Sequence, residues 1–236
     1  LFNESVTLFK KVWVQGLILQ LFSILIMLPF IIIFYVPYFQ LVLENSSNGV
    51  MDSAALGQEL IDAYGSSLLW IYLVMLLGSL VSYVLYLGFY RIVKQIDHGQ
   101  AFVFSELFHF FKAASIGKSF GLAVTHMFIS ILATLLCFLP IIYAIVPLMF
   151  LLPVFAYNSN LSTSEIVKVS FALGNKKWGI VFLTLILNGI LIYVIAIVTC
   201  GLGTLFVSCF LYLPQYIIYK KVIGFDGPKE VVQSID

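Results

Sequence analysis

Charge is what this chain has least of. Only 10% of its 236 residues are Asp, Glu, Lys or Arg, against about a quarter in a typical soluble domain. No Lys or Arg occurs between Lys11 and Arg91. The net charge of +1 removes nucleic acid as a partner, since that association rests on neutralising many phosphates. Cysteine is equally sparse: three residues with no CxxC pair, which argues against a disulfide framework or a zinc site. No nucleophile–base spacing, metal motif or glycine-rich phosphate loop is present, and Gly201-Leu202-Gly203 reads as a turn. The residues therefore imply no cofactor, no metal and no catalytic group.

What fills the space is apolar. Hydrophobic residues make up 62% of the chain and aromatics 16%, and the mean hydropathy is +1.09. A water-soluble chain of this length cannot hide so much apolar surface, so the expected solvent is lipid. A helix needs about 20 apolar residues to cross a hydrocarbon core of about 30 Å. Six segments meet that requirement: about 13–35 (with apolar character trailing on to Leu43), 68–90, 118–139, 141–157, 178–199 and 202–219. They predict an all-α, polytopic membrane protein, one integral membrane domain over residues 1–236, with an outer loop at 44–67.

Orientation follows from the basic residues, which are retained on the cytoplasmic side. With six crossings, every Lys and Arg falls on the side of the two termini, while Glu44, Asp52, Glu59 and Asp62 fall on the other. The expected address is a cytoplasmic (inner) membrane, crossed several times, with both termini cytoplasmic. Trp13, Trp70 and Trp178 sit where spans one, two and five should enter the bilayer, the level that an apolar ring with one polar N–H prefers.

Two inner connections, Phe104 to Ala114 and Ser162 to Leu173, have apolar stripes suited to helices lying on the membrane or against the protein's own spans. In the first, Leu107, Phe108, Phe111 and Ala114 share a face; in the second, Ile166, Val169 and Leu173 do. Ser162 and Glu165 fit a capping box at the start of the second. The beginning of the chain, to Lys11, reads as a third such helix. Each piece precedes a pair of spans, which suggests three parallel units of surface helix plus transmembrane hairpin.

The second half carries a further signal. Asp97-His98-Gly99 precedes a surface helix, followed by Pro140 and Pro153, then Ser162-Thr163-Ser164-Glu165-Ile166-Val167-Lys168-Val169-Ser170, then Lys177-Trp178, Gly201-Leu202-Gly203 and Pro214 ahead of Tyr219. This pattern, over roughly residues 90 to 222, resembles the bacterial integral-membrane family that includes the membrane domain of glycerophosphoryl diester phosphodiesterases and many proteins of unknown function. The resemblance implies a six-span protein of the bacterial cytoplasmic membrane and no catalytic residues.

No Asp, Glu, Lys or Arg falls mid-span, where an ionised group is expensive and usually functional. Three uncharged polar residues do. Gln20, His126 and Asn188 lie about 12 to 17 Å past the inner basic residues, near the bilayer midplane, in spans one, three and five. They form either a ligand-binding polar cluster or interhelical hydrogen bonds. Pro147 and Pro153 interrupt the short fourth span, and a broken span either exposes backbone groups to a substrate or is a kink filled by its neighbours. Two functional expectations follow. The first is a non-enzymatic accessory or scaffold subunit of a larger membrane complex, in contact with membrane lipids and a membrane-protein partner. The second is a transporter or lipid handler with a polar site at the midplane.

Overall fold

The computed structural model describes residues 1–47, 53–136 and 139–225. Among the described residues every regular element is helical. The chain runs through α1 (Phe2–Phe30), a π-helical turn (Ile31–Tyr35), α2 (Val36–Ser47), α3 (Ser53–Tyr64), α4 (Leu68–Asp97), a 3₁₀ helix (Phe104–Phe111), α5 (Ala113–Leu135), α6 (Leu139–Tyr157), α7 (Thr163–Val198), α8 (Thr204–Val207), a second 3₁₀ helix (Ser208–Tyr212) and α9 (Leu213–Val222). Among the described residues, five helical runs are long and apolar enough to cross a membrane: Phe2–Glu44, Leu68–Asp97, Ala113–Leu135, Pro140–Tyr157 and Thr163–Val198. They carry the first five expected spans. The expected turn over Asn48 and Gly49, and Cys137, lie outside the described residues.

The sixth expected span, 202–219, is not one continuous α-helix. It is α8, a 3₁₀ helix and α9 end to end. The break falls ahead of Pro214, which lacks the N–H an unbroken helix would use and sits instead in the first turn of α9, where none is needed. The pieces together cover about 31 Å at their respective rises. They start beyond the turn at Cys200 and Gly201, both with positive φ (50° and 87°), and end where Lys221 Nζ donates to both Glu4 carboxylate oxygens at 2.7 Å.

Two of the expected surface helices merge with the spans that follow them. The start of the chain is continuous with α1. In α7, Ser162 caps the helix by the expected reciprocal pair: its Oγ accepts from the Glu165 N–H at 3.3 Å, and its own N–H donates to Glu165 Oε2 at 2.8 Å. The helix then runs to Val198 with one kink at Lys177 (φ −122°, ψ 16°), between the two predicted pieces. The third expected surface helix is 3₁₀ rather than α. Its three-residue repeat buries Leu107 and Phe110, not the set Leu107, Phe108, Phe111 and Ala114 that a 3.6-residue period selects. Its backbone lies so close to α4 that a Cβ on Gly88 would stand 2.1 Å from the Leu107 carbonyl oxygen.

The described chain divides into two compact units. The larger comprises Leu1–Leu21 and Tyr83–Asp236. Its core is α6, packed on α5, α7 and α9, with Val146, Phe150, Leu151, Val154 and Phe155 fully buried. The start of α1 meets the second 3₁₀ helix: a Cβ on Gly16 would fall 2.2 Å from Cys209 Sγ, and Phe2 and Phe9 both meet Phe210 edge-on. The smaller unit, Phe22–Ser82, centres on Phe34 in the π-helical turn between Pro29 and Pro37. Phe34 stacks between Phe30 and Tyr38 and contacts Tyr64, whose hydroxyl donates to the Phe34 carbonyl at 2.9 Å.

Candidate functional site

The expected polar residues make their contacts separately. Gln20 Oε1 accepts from Ser208 Oγ at 3.1 Å, tying α1 to the interrupted return segment. His126 lies against Tyr83, ring centroids 5.2 Å apart. Asn188 is 1% exposed and its Oδ1 is buried without a hydrogen-bond partner. No hydrogen bond or ring contact joins the three among the described residues.

The prolines of α6 are packed over. Pro147 has no N–H, so the carbonyl four residues earlier, that of Tyr143, loses its helical donor. Trp178 supplies one: its Nε1–H donates to the Tyr143 carbonyl at 3.0 Å. The Tyr143 hydroxyl in turn donates to Asn175 Oδ1. Gly174 lies against Pro147 so closely that a Cβ there would stand 2.6 Å from Pro147 Cα. α6 runs unbroken through Pro147, and the face it presents there is fitted to α7 just before the kink at Lys177. Pro153 sits in the same helix, two turns deeper in the buried core.

The polar chemistry of the larger unit gathers instead at the end formed by the last turns of α4 and α9 and the first turn of α1. Asp97, the last residue of α4, has Oδ2 accepting from Tyr216 Oη at 2.7 Å and from Lys220 Nζ at 2.6 Å. The two donors are four residues apart on α9, hence on one face. Beneath them is a cluster of tyrosines, which carries neither charge nor metal-ligating groups. Tyr90 donates to the Tyr212 carbonyl at 3.1 Å, Tyr157 to the Tyr90 carbonyl at 2.5 Å, and Asn158 Nδ2 to the Tyr219 hydroxyl at 2.5 Å. Tyr86 and Tyr212 lie 4.5 Å apart. The signal was present: Tyr83, Tyr86 and Tyr90, and Tyr212, Tyr216 and Tyr219, repeat at helical spacing.

Nearly two turns back along α4, Arg91 Nε donates to Glu106 Oε2 at 2.6 Å. Burial resists ionisation of Glu106, but the Arg91 hydrogen bond and charge, with His109 and Lys112 nearby, outweigh it and hold the carboxyl below its ordinary 4.5. For His109 burial acts first, Arg91 adds to it, and the imidazole is held below 6.5 in spite of Glu106 at 3.7 Å.

Two cavities open at this end. The first, about 340 Å³, is lined by Glu4, Lys11, Asp97, Tyr216, Lys220 and Lys221 among others. The second, about 330 Å³, is lined by Arg91, Lys94, Gln95, His98, Gln100 and Tyr157, with Ala156. Among the described residues no three His, Cys, Asp or Glu side chains come together in a way that could hold a metal ion. Compared with known proteins, the chain matches no family model, no curated protein and no solved structure.

Proposed function

We propose that the chain is a non-enzymatic integral membrane protein that serves as an accessory or scaffold subunit of a larger membrane complex. The observation that carries this reading is the length of apolar surface on the first helical run. Phe2–Glu44 is continuous over 43 residues, and its exposed apolar side chains extend from Val14 to Leu43 through Leu25, Ile32 and Phe39. That stretch amounts to 30 residues, where about 20 suffice to cross a hydrocarbon core of about 30 Å. About ten residues of apolar helix, close to the length of α2, are therefore left for a protein surface to cover. The fitted joint between Pro147 and Trp178 supports a fixed framework rather than a moving one.

The fuller topology belongs to the same proposal. The interrupted segment from Thr204 to Val222 is a sixth crossing, an assignment supported by its return to Glu4. The chain is then three parallel pairs of spans, with helices on the inner surface and both termini cytoplasmic, in a bacterial inner membrane, as the distribution of Lys and Arg argues. A cysteine replacing Ser46 should react with an impermeant thiol reagent in intact cells and one replacing Ser164 should not; the reverse result would invert the orientation.

The deciding experiment is purification from native membranes in nanodiscs, with mass spectrometry of everything retained. A stoichiometric protein partner is expected, and the pair Phe39→Ser and Leu43→Ser should lose it while the chain still folds. Recovery of the chain as a lone monomer under the mildest conditions would sink the reading. One observation favours the alternative of a transporter or lipid handler, the buried and unpartnered Oδ1 of Asn188. On that alternative Asn188→Leu abolishes uptake or lipid transfer; on the scaffold reading it leaves the complex intact.

A further inference from the structure

We propose that the cleft between the first turns of α1 and the last turns of α9 binds a zwitterion carrying a primary ammonium and a phosphate, the chemistry of phosphoethanolamine. Three elements of the larger unit meet there. α1 contributes Glu4 and Lys11, α9 contributes Lys220 and Lys221, and α4 ends in it at Asp97. At about 340 Å³ the cleft falls in the range of small-ligand sites, about 300–1,000 Å³. Part of its lining is apolar: Leu8 and Ile217 belong to it and are 4% and 6% exposed.

Two ion pairs brace the cleft, and the groups they leave unused define the ligand. Glu4 holds Lys221 through both carboxylate oxygens, so this pair closes on itself. Asp97 accepts from Tyr216 and Lys220 through Oδ2 alone, and its Oδ1 has no hydrogen-bond partner among the described residues. Its side chain is only 18% exposed, where a charged donor is worth more than in open water. A primary ammonium brings three N–H donors to such an oxygen. Lys11 lines the same cleft and has no acceptor among the described residues; its ammonium suits a phosphate oxygen. Asn3 lines it too, and its side-chain amide, equally without a partner among the described residues, offers two more N–H donors. A bare anion meets Asp97 and a bare cation meets Lys11, whereas a zwitterion satisfies both. Lys11 also stands two residues before Trp13, a 41% exposed ring of the type that settles at headgroup level. The ligand is therefore presented either by phosphatidylethanolamine or as free phosphoethanolamine. The lipid source rests on the membrane topology proposed above; the zwitterion chemistry does not.

The test uses the full chain in nanodiscs of phosphatidylethanolamine, phosphatidylcholine and phosphatidylglycerol in equal parts, read by native mass spectrometry of retained lipid. Free phosphoethanolamine is titrated in parallel by calorimetry. Phosphatidylethanolamine should be retained over phosphatidylcholine, whose quaternary nitrogen has no N–H for Asp97, and over phosphatidylglycerol, which has no cation. Binding of the free compound without lipid preference identifies a soluble zwitterion instead. In either case Lys11→Gln should weaken binding about tenfold, the loss of one charge-assisted hydrogen bond. Lys10→Gln removes the same charge from a residue that does not line the cleft and should leave binding unchanged. Equal retention of the three lipids without binding of phosphoethanolamine would overturn the assignment, and so would a preference for phosphatidylglycerol. A Lys11→Gln variant that binds as the native chain does, or equal losses in the two lysine variants, would overturn it as well.

Discussion

Trp178 does at the scale of one residue what a backbone N–H would do in an unbroken helix. Its indole donates to the carbonyl that Pro147 strands, so Trp178→Phe should destabilise the chain by about 1 kcal/mol, read from thermal unfolding in detergent. Pro147→Ala restores the missing donor, and in that background the same change at Trp178 should matter much less. Equal losses in both backgrounds would mean that the indole acts through packing alone. Tyr216→Phe removes one of the two donors to Asp97 and should lower stability by a similar amount, about 1 kcal/mol, with Lys220 still in place. Pro147 and Trp178 are both conspicuous in the sequence, one as a helix breaker and the other as an interfacial ring. That they answer each other is not legible, because the contact joins Trp178 to Tyr143, 35 residues apart, on helices whose relative rotation no local pattern records. Depth was easier to read than partnership for the same reason. The count of residues from the flanking lysines puts Gln20 deep in its span, but nothing local in the sequence pairs it with Ser208.

Elements were legible in proportion to their apolar length. The five long runs announce themselves because lipid demands a continuous apolar stretch, and the capping box at Ser162 announces a helix start through side-chain chemistry. The 3₁₀ form of Phe104–Phe111 is hidden, since its choice over an α-helix is made by the surface it meets. That surface is Gly88, where the backbone of one element touches the backbone of the other. Gly88→Ala forces the two apart and should destabilise by about 2 kcal/mol, more than alanine at Gly121, which faces open space in α5. A thermal shift no larger than that of Gly121→Ala would mean that the 3₁₀ segment is free to move off α4. The interrupted return segment has the same character. Its hydropathy is that of a span, and only Pro214 hints that one regular helix will not do.

For the molecule as a whole, the ionic contacts at one end of the larger unit set a response to acid. Both Glu106 and His109 bind protons less readily in the folded chain than in the unfolded one. Each therefore contributes stability above its unfolded pKa and withdraws it as pH falls through its folded value. His109 begins to withdraw support below about 6.5 and Glu106 below about 4.5. Thermal unfolding followed from pH 8 downward should show two stages of loss; His109→Asn should diminish the upper stage and Glu106→Gln the lower. A profile unchanged by either substitution would place the acid response elsewhere. The pairing of the first helix with the last segment of the chain has a consequence for biosynthesis. The face of α1 that carries Gly16 and Gln20 is completed by Ser208 and Cys209, 188 residues further along the chain in the case of the Gln20 bond. At roughly 5–20 residues per second, the ribosome needs on the order of 10–40 s to deliver them. For that interval the first helix is in the membrane with a polar side chain and a bare glycine groove exposed, waiting for the last. A nascent chain stalled before Ser208 would keep that mark of incompleteness on display, where a chaperone or a membrane protease can tell it from the finished protein.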